Sequence, residues 1–135
     1  MDLLKSMDIS AAGMKVQGTR IRVISENLAN SDSTAQVPGG QPYRRKLVNF
    51  ANTLDRALGA ELVHVKGIGV DRSDFGRRYE PGHPAADDAG YVLVTNVNSL
   101  IELTDMREAQ RSYEANLRVV QSSRSMIQQT IDILR

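Results

Sequence analysis

Apolar and small side chains recur every seven residues at both ends of this chain, and the pattern breaks in between. Near the start, Met7, Met14, Ile21 and Leu28 form one row, and Ala11, Gly18 and Ser25 form a second row between them. Successive members lie four and three residues apart, the spacing of a helix face that meets another helix. The pattern predicts a helix over residues 1–30. The small row lets a partner backbone come close, although Gly18 costs about 1 kcal/mol of helix propensity relative to alanine. A plain amphipathic core helix fits the same spacing. No glycine or proline interrupts residues 96–135. There Met106, Tyr113, Val120, Ile127 and Leu134 form one sevenfold row, and Leu103, Gln110, Leu117, Arg124 and Ile131 form its companion. Asn98 or Ser99 can cap this helix, and Ser99 with Glu102 has capping-box spacing. Gln110 and Arg124 are the polar members. They either fix register and partner choice or lie on the wet edge of the seam.

Between the helices the period changes. Residues 30–42 are rich in Asn, Asp, Ser, Pro and Gly, which end helices and satisfy turns. Residues 43–50 and 61–70 read as short strands, with a turn or two of helix over residues 50–58. Residues 71–90 read as loop, punctuated by Pro81, Gly82, Pro84 and Gly90, and residues 91–94 as a last strand. The predicted fold is mainly α with a small β insert. Paired N- and C-terminal long helices (a coiled coil) come from residues 1–30 and 96–135, and a β-rich middle from residues 31–95.

Composition removes several functions. The 135 residues carry 17 Lys+Arg against 16 Asp+Glu. Residues 1–37 hold four basic and four acidic side chains, residues 38–95 eight and seven, residues 96–135 five and five. No segment has the basic excess of a nucleic-acid protein. Cysteine is absent, so neither disulfides nor thiolate chemistry is expected. No run of eighteen apolar residues predicts a membrane span, and residues 1–5 lack the pattern of a cleaved signal peptide.

Candidate chemistry is sparse. His64 and His83 are nineteen residues apart without cysteine companions, so no metal site and no cofactor is expected. Asp87-Asp88 reads as a pair of solvated turn residues, and no nucleophile elbow or phosphate loop is present. Arg44-Arg45-Lys46 reads as a source of salt bridges or an interface lining. The amides of Asn27, Asn30 and Asn116 either bond to backbone where helices end or meet or point at water. Asn30 is placed to close the first helix.

The segment Ser25-Glu26-Asn27-Leu28-Ala29-Asn30 resembles the N-terminal signature of the flagellar rod and hook axial protein family. Further on, Tyr43-Arg44-Arg45 after Gly40-Gln41-Pro42 is similar to the FlgC type of proximal rod protein, as is Pro81-Gly82-His83-Pro84 leading to Gly90-Tyr91. The resemblance continues through Asn96-Val97-Asn98 and the run from Ala109 to Asn116 that contains Tyr113. It departs from the family pattern at residues 35–42, at Thr95 and at Leu103-Thr104.

The resemblance implies a non-enzymatic structural subunit of the basal-body rod, exported to the periplasm by the flagellar type III apparatus without a cleaved signal peptide. It implies polymerisation through both terminal helices into a tube that transmits torque and encloses the export channel. Expected partners are copies of the chain, other rod subunits, and basal-body ring and rod-adaptor proteins. The sevenfold rows are the expected subunit interface. A soluble helical adaptor or secretion-related protein, holding one partner by its heptads, is the alternative.

Overall fold

A computed structural model of the chain describes residues 2–134; positions 1 and 135 of the two predicted helices lie outside them. In chain order the elements are α1 (Leu3–Ala29), β1 (Lys46–Asp55), β2 (Ala60–Val70), β3 (Gly76–Tyr79), β4 (Tyr91–Val94) and α2 (Ser99–Ile133). By compactness they fall into two units, one of Met1–Ile21, Val48–Gly67 and Arg107–Arg135, the other of Arg22–Leu47 and Ile68–Met106.

Side chains set both ends of α1. Asp2 Oδ1 accepts from the N–H of Leu4 at 3.1 Å and of Lys5 at 3.5 Å, which satisfies donors the first turn leaves open. At the other end Asn30 Nδ2 donates to Glu26 O at 2.8 Å and the Ser31 hydroxyl to Leu28 O at 2.8 Å. Asn30 thus closes the helix. In α2 the cap is Asn98, whose Oδ1 accepts from Leu100 N at 3.0 Å and Ile101 N at 3.4 Å. Ser99 and Glu102 do not form the expected capping box. The Glu102 carboxylate is buried elsewhere.

In the first unit the two helices run antiparallel. Gly13 lies against the Asn116 side chain, and Arg20 Nη2 meets Glu108 Oε2 at 3.2 Å. Seven residues forward along α1 therefore correspond to eight backward along α2. The same unit holds most of the β1–β2 hairpin. Four residues join its strands, too few for anything but an antiparallel pair. Asp55 Oδ1 accepts from the N–H of Ala57 and Leu58, and Gly59 supplies a φ of 58°, conformational space that favours glycine. The helical turn expected over residues 50–58 is absent because β1 continues to Asp55, whose carboxylate builds the turn.

The second unit centres on β3 and β4, antiparallel with Gly76 opposite Val94 and Tyr79 opposite Tyr91. Sequence reading placed β3 in a loop. All four of its residues are exposed, so no apolar alternation marks it. Along the other edge of β4 runs the linker: Thr34 bridges to Val94, Ala35 N donates to Leu93 O, and Thr95 N to Ser33 O. Ala35, Ala85 and Val92 form the small core beneath.

The expected sevenfold rows are present, but the buried line on each helix is displaced by one residue, about 100° of rotation. On α1, Val16, Val23 and Ile24 are the buried apolar side chains and Ser10 and Asn27 the buried polar ones, with Gly13, Gln17 and Arg20 half-buried. Of the expected rows, Met7, Met14, Gly18, Ile21 and Leu28 are half-buried, while Ala11 and Ser25 are exposed. On α2, Glu102, Ala109 and Ser123 are buried with Asn116 half-buried. The row Met106, Tyr113, Val120 and Ile127 flanks this line half-buried. Leu103, Gln110, Arg124, Ile131 and Leu134 are exposed, and Leu117 is half-buried. On α2 small and polar side chains occupy the buried line, whereas on α1 Val16, Val23 and Ile24 share the buried face with Ser10 and Asn27; the expected rows are rotated outward from it.

Candidate functional site

Within the second unit, polar side chains from four separate stretches converge. Asn27, near the end of α1, is 1 % exposed and uses its whole amide. Its Oδ1 accepts from Lys46 N and from the Tyr43 hydroxyl, both at 2.9 Å, and its Nδ2 donates to Lys46 O at 2.9 Å and to Glu102 Oε2 at 3.1 Å. That is the full capacity of an NH2 and of a carbonyl oxygen with two lone pairs. One side chain therefore pins the start of β1 in both directions and touches the first turn of α2.

Glu102 is fully buried. Its Oε1 accepts from Arg45 Nε at 2.5 Å, so the carboxylate is paired and hydrogen-bonded, as burial demands. Arg45 also faces Asp105 at 3.3 Å and Asp71 at 3.6 Å. Burial pulls the Arg45 guanidinium down, but the hydrogen bond and charge of Glu102, with Asp105 and Asp71, outweigh it and raise it above its ordinary value. Burial likewise raises the Tyr43 phenol.

A second clamp adjoins the first. Arg44 lies 4.1 Å over the Phe75 ring and donates to the carbonyls of Asp71 and Ser73, a cation–π arrangement. Asn96 Nδ2 donates to the same two carbonyls while its Oδ1 accepts from Arg45 N at 2.8 Å. Lys46 pairs with Glu26 at 2.9 Å. The basic run thus does three different jobs.

The other expected residues have local roles. Asn98 caps α2, Ala29 ends α1 in the open, and Asn116 donates to Ser112 O at 2.9 Å while lying against Gly13. Pro81, Gly82, His83 and Pro84 shape a loop that Gly90 closes at a φ of 83°. Tyr91 meets Tyr79 edge to face at 5.3 Å. His64 pairs with Thr53 at 3.2 Å. Asp87 is a turn residue, its Oδ1 accepting from Ala89 N and Tyr91 N. Sequence reading did not single out Glu102, Asp71 or Asp105 as site residues. The one available signal was Glu102 heading a sevenfold row with Ala109, Asn116 and Ser123.

The network carries a pH signature. The Ser73 backbone N–H, then the Ser73 hydroxyl and Arg45, hold the Asp71 carboxyl below its ordinary 3.8. Lys46 holds Glu26 below 4.5 through its hydrogen bond and charge. Both folded values are depressed, so this stabilisation is complete above the ordinary carboxylate values and disappears as pH falls through the folded ones. The share of the urea midpoint that these two carboxylates supply is expected to be constant above about pH 5 and to be lost below about pH 4, with Asp71→Asn flattening that acid limb. An Asp71→Asn limb as steep as the wild type's would remove Asp71 from the account.

Among the described residues no three metal-ligating side chains gather, and no helix is long and apolar enough to cross a membrane. The family model described as flagellar basal body rod FlgEFG protein C-terminal matches residues 88–133. The flagellar basal-body rod protein FlgC of Agrobacterium fabrum is 54% identical over 127 residues, covering 94% of this chain and 91% of the relative. The FlgC of Salmonella typhimurium is 39% identical over 135 residues, 98% of each chain, and that of Bacillus subtilis 34% identical over 148 residues, 98% of this chain and 99% of the relative. With a small β insert between α1 and α2 along the chain and identity extending over its whole length, the chain belongs to the FlgC family of flagellar basal-body rod proteins.

Proposed function

We propose that this chain is a structural, non-catalytic subunit of the flagellar basal-body rod. It reaches the periplasm through the flagellar type III export apparatus and polymerises there with copies of itself and related rod subunits. Basal-body ring and rod-adaptor proteins are its further neighbours. The resulting tube transmits torque and encloses the export channel. The observation that carries this reading is the presence of two sevenfold lines one residue apart on α2. The line Glu102, Ala109, Asn116 and Ser123 is buried or half-buried within the chain. The line Leu103, Gln110, Leu117, Arg124 and Ile131 leaves Leu103 46 % and Ile131 48 % exposed. A row whose apolar members Leu103 and Ile131 are left exposed by their own chain is suited to a neighbour's helix, and torque needs the shear resistance of such packing.

Introducing charge on the outer line separates assembly from folding. A Leu103→Asp, Ile131→Asp double variant alters two exposed positions, so its unfolding midpoint should move by no more than about 1 kcal/mol in stability. Rod assembly and motility should be lost. Negative-stain microscopy of concentrated protein reads the same point: tubes from the wild type support the rod, whereas discrete dimers support the adaptor. A double variant that assembles and swims like the wild type would overturn the proposed interface.

A further inference from the structure

We propose that His83 is a proton-operated clasp between the loop of residues 80–90 and the linker of residues 31–42. The argument starts from a tautomer. The backbone N–H of Ala85 donates to His83 Nδ1 at 3.0 Å. An N–H can only donate, so Nδ1 carries no proton, and the ring proton of the neutral imidazole sits on Nε2. Nε2 faces Thr34 Oγ1 at 3.4 Å, and its N–H donates to that oxygen. One neutral ring therefore holds its own loop from one nitrogen and the linker from the other.

What the clasp joins follows from the surrounding bonds. The loop is closed at its base without His83, by Glu80 N donating to Gly90 O at 2.9 Å and by the Tyr79–Tyr91 ring contact. The linker is aligned without it too, through the Thr34–Val94 bridge and the two backbone bonds beside it. Among the described residues, loop and linker meet at His83 with Thr34 and in the packing of Ala85 with Ala35 and Val92, against which Ala86 also lies. Beside this contact lies a cavity of about 130 Å³ lined by Ala35, Gly40, Arg77, Ala85 and Val92 among others.

A second proton on the imidazole goes to Nδ1, and the cation has two donors and no acceptor. Nδ1–H then points at the Ala85 N–H, two donors face each other, and the bond is lost. Ring rotation relieves that conflict only by giving up Thr34. The charged and titratable groups on the surrounding elements are Asp32 on the linker, Glu80, Asp87 and Asp88 on the loop, Arg77, Arg78 and Tyr79 on β3 and Tyr91 on β4. Glu80 is paired with Arg78 at 2.8 Å, and Asp87 accepts from two backbone N–H groups, so both carboxylates already have partners. Histidine is the side chain that ordinarily changes charge between pH 5 and 8. The loop is held while the ring is neutral and released when the ring carries a second proton.

The test is amide exchange and nitrogen NMR on the full chain. At pH 8 the His83 ring should show the Nε2–H tautomer. From pH 8 to pH 5, corrected for intrinsic exchange, protection of the Ala85 amide should fall about five- to thirtyfold, the equilibrium effect of losing one such hydrogen bond. In His83→Gln, whose carbonyl accepts but does not titrate, protection should not change with pH, and in His64→Gln the wild-type fall should persist. An Nδ1–H tautomer at pH 8 overturns the proposal even if every variant fails to fold. So does protection that is constant across the pH range in the wild type.

Discussion

Replacing Glu102 with alanine is expected to destabilise the chain by about 3–5 kcal/mol, the range for breaking a buried ion pair by removing one partner. The carboxylate is fully buried, and both its oxygens are used, one by Arg45 at 2.5 Å and the other by Asn27 at 3.1 Å. Alanine leaves the Arg45 guanidinium facing Asp105 at 3.3 Å and Asp71 at 3.6 Å. These partners soften the loss and place the expected value toward the lower end of the range. Glutamine is no mild replacement. Both groups facing the carboxylate are donors, so one end of the amide must set its NH2 against a donor. The sharper measurement is a double-mutant cycle with Arg45→Met, read by urea unfolding. Removing both charges should cost clearly less than the sum of the single losses, with a coupling of at least about 1.5 kcal/mol. Additive losses would mean that Glu102 is held by packing alone.

The same network shows where sequence reading stops. Both long helices, their polar ends and the small β insert were legible, because periodicity and capping residues are local signals. The contacts of Asn27, Arg45 and Glu102 were not. Eighteen residues separate the first two and 57 the last two, and nothing in the spacing of a short amide, one of three consecutive cations and a helical glutamate says that they meet. The rotation of the seam was hidden for a related reason. The sevenfold rows select Met14 and Ile21, whereas the buried face of α1 carries Val16, Val23 and Ile24 together with Asn27, whose bonding capacity no ranking by apolar size registers. β3 was missed because a strand exposed along its whole length carries no alternation for a period-two reading to find.

Two glycines on α1, five residues apart, should respond in opposite ways to the same substitutions. A Cβ on Gly13 would lie 2.8 Å from Asn116 Nδ2 and 3.1 Å from Cγ and Oδ1. That amide is already engaged with Ser112 O, so it cannot swing aside without losing a bond. Gly13→Leu is therefore expected to destabilise the free chain by about 1–3 kcal/mol through overpacking. A Cβ on Gly18 would meet nothing within 4 Å. Gly18→Ala should accordingly stabilise the free chain by about 0.5–1 kcal/mol, the helix propensity that glycine gives up, and Gly18→Leu should leave it folded. Among the described residues, then, nothing requires glycine at position 18. On the rod reading the requirement comes from outside: Ala11 and Ser25, exposed seven residues to either side, continue a shallow path along which a neighbouring helix lies close. Leucine at 18 blocks that path, so Gly18→Leu should fold like the wild type by circular dichroism and urea unfolding yet fail to assemble, while Gly13→Leu fails already as a monomer. Tubes formed by Gly18→Leu at the wild-type concentration would show that neighbours do not approach along this face, and would move the interface to the apolar rows alone.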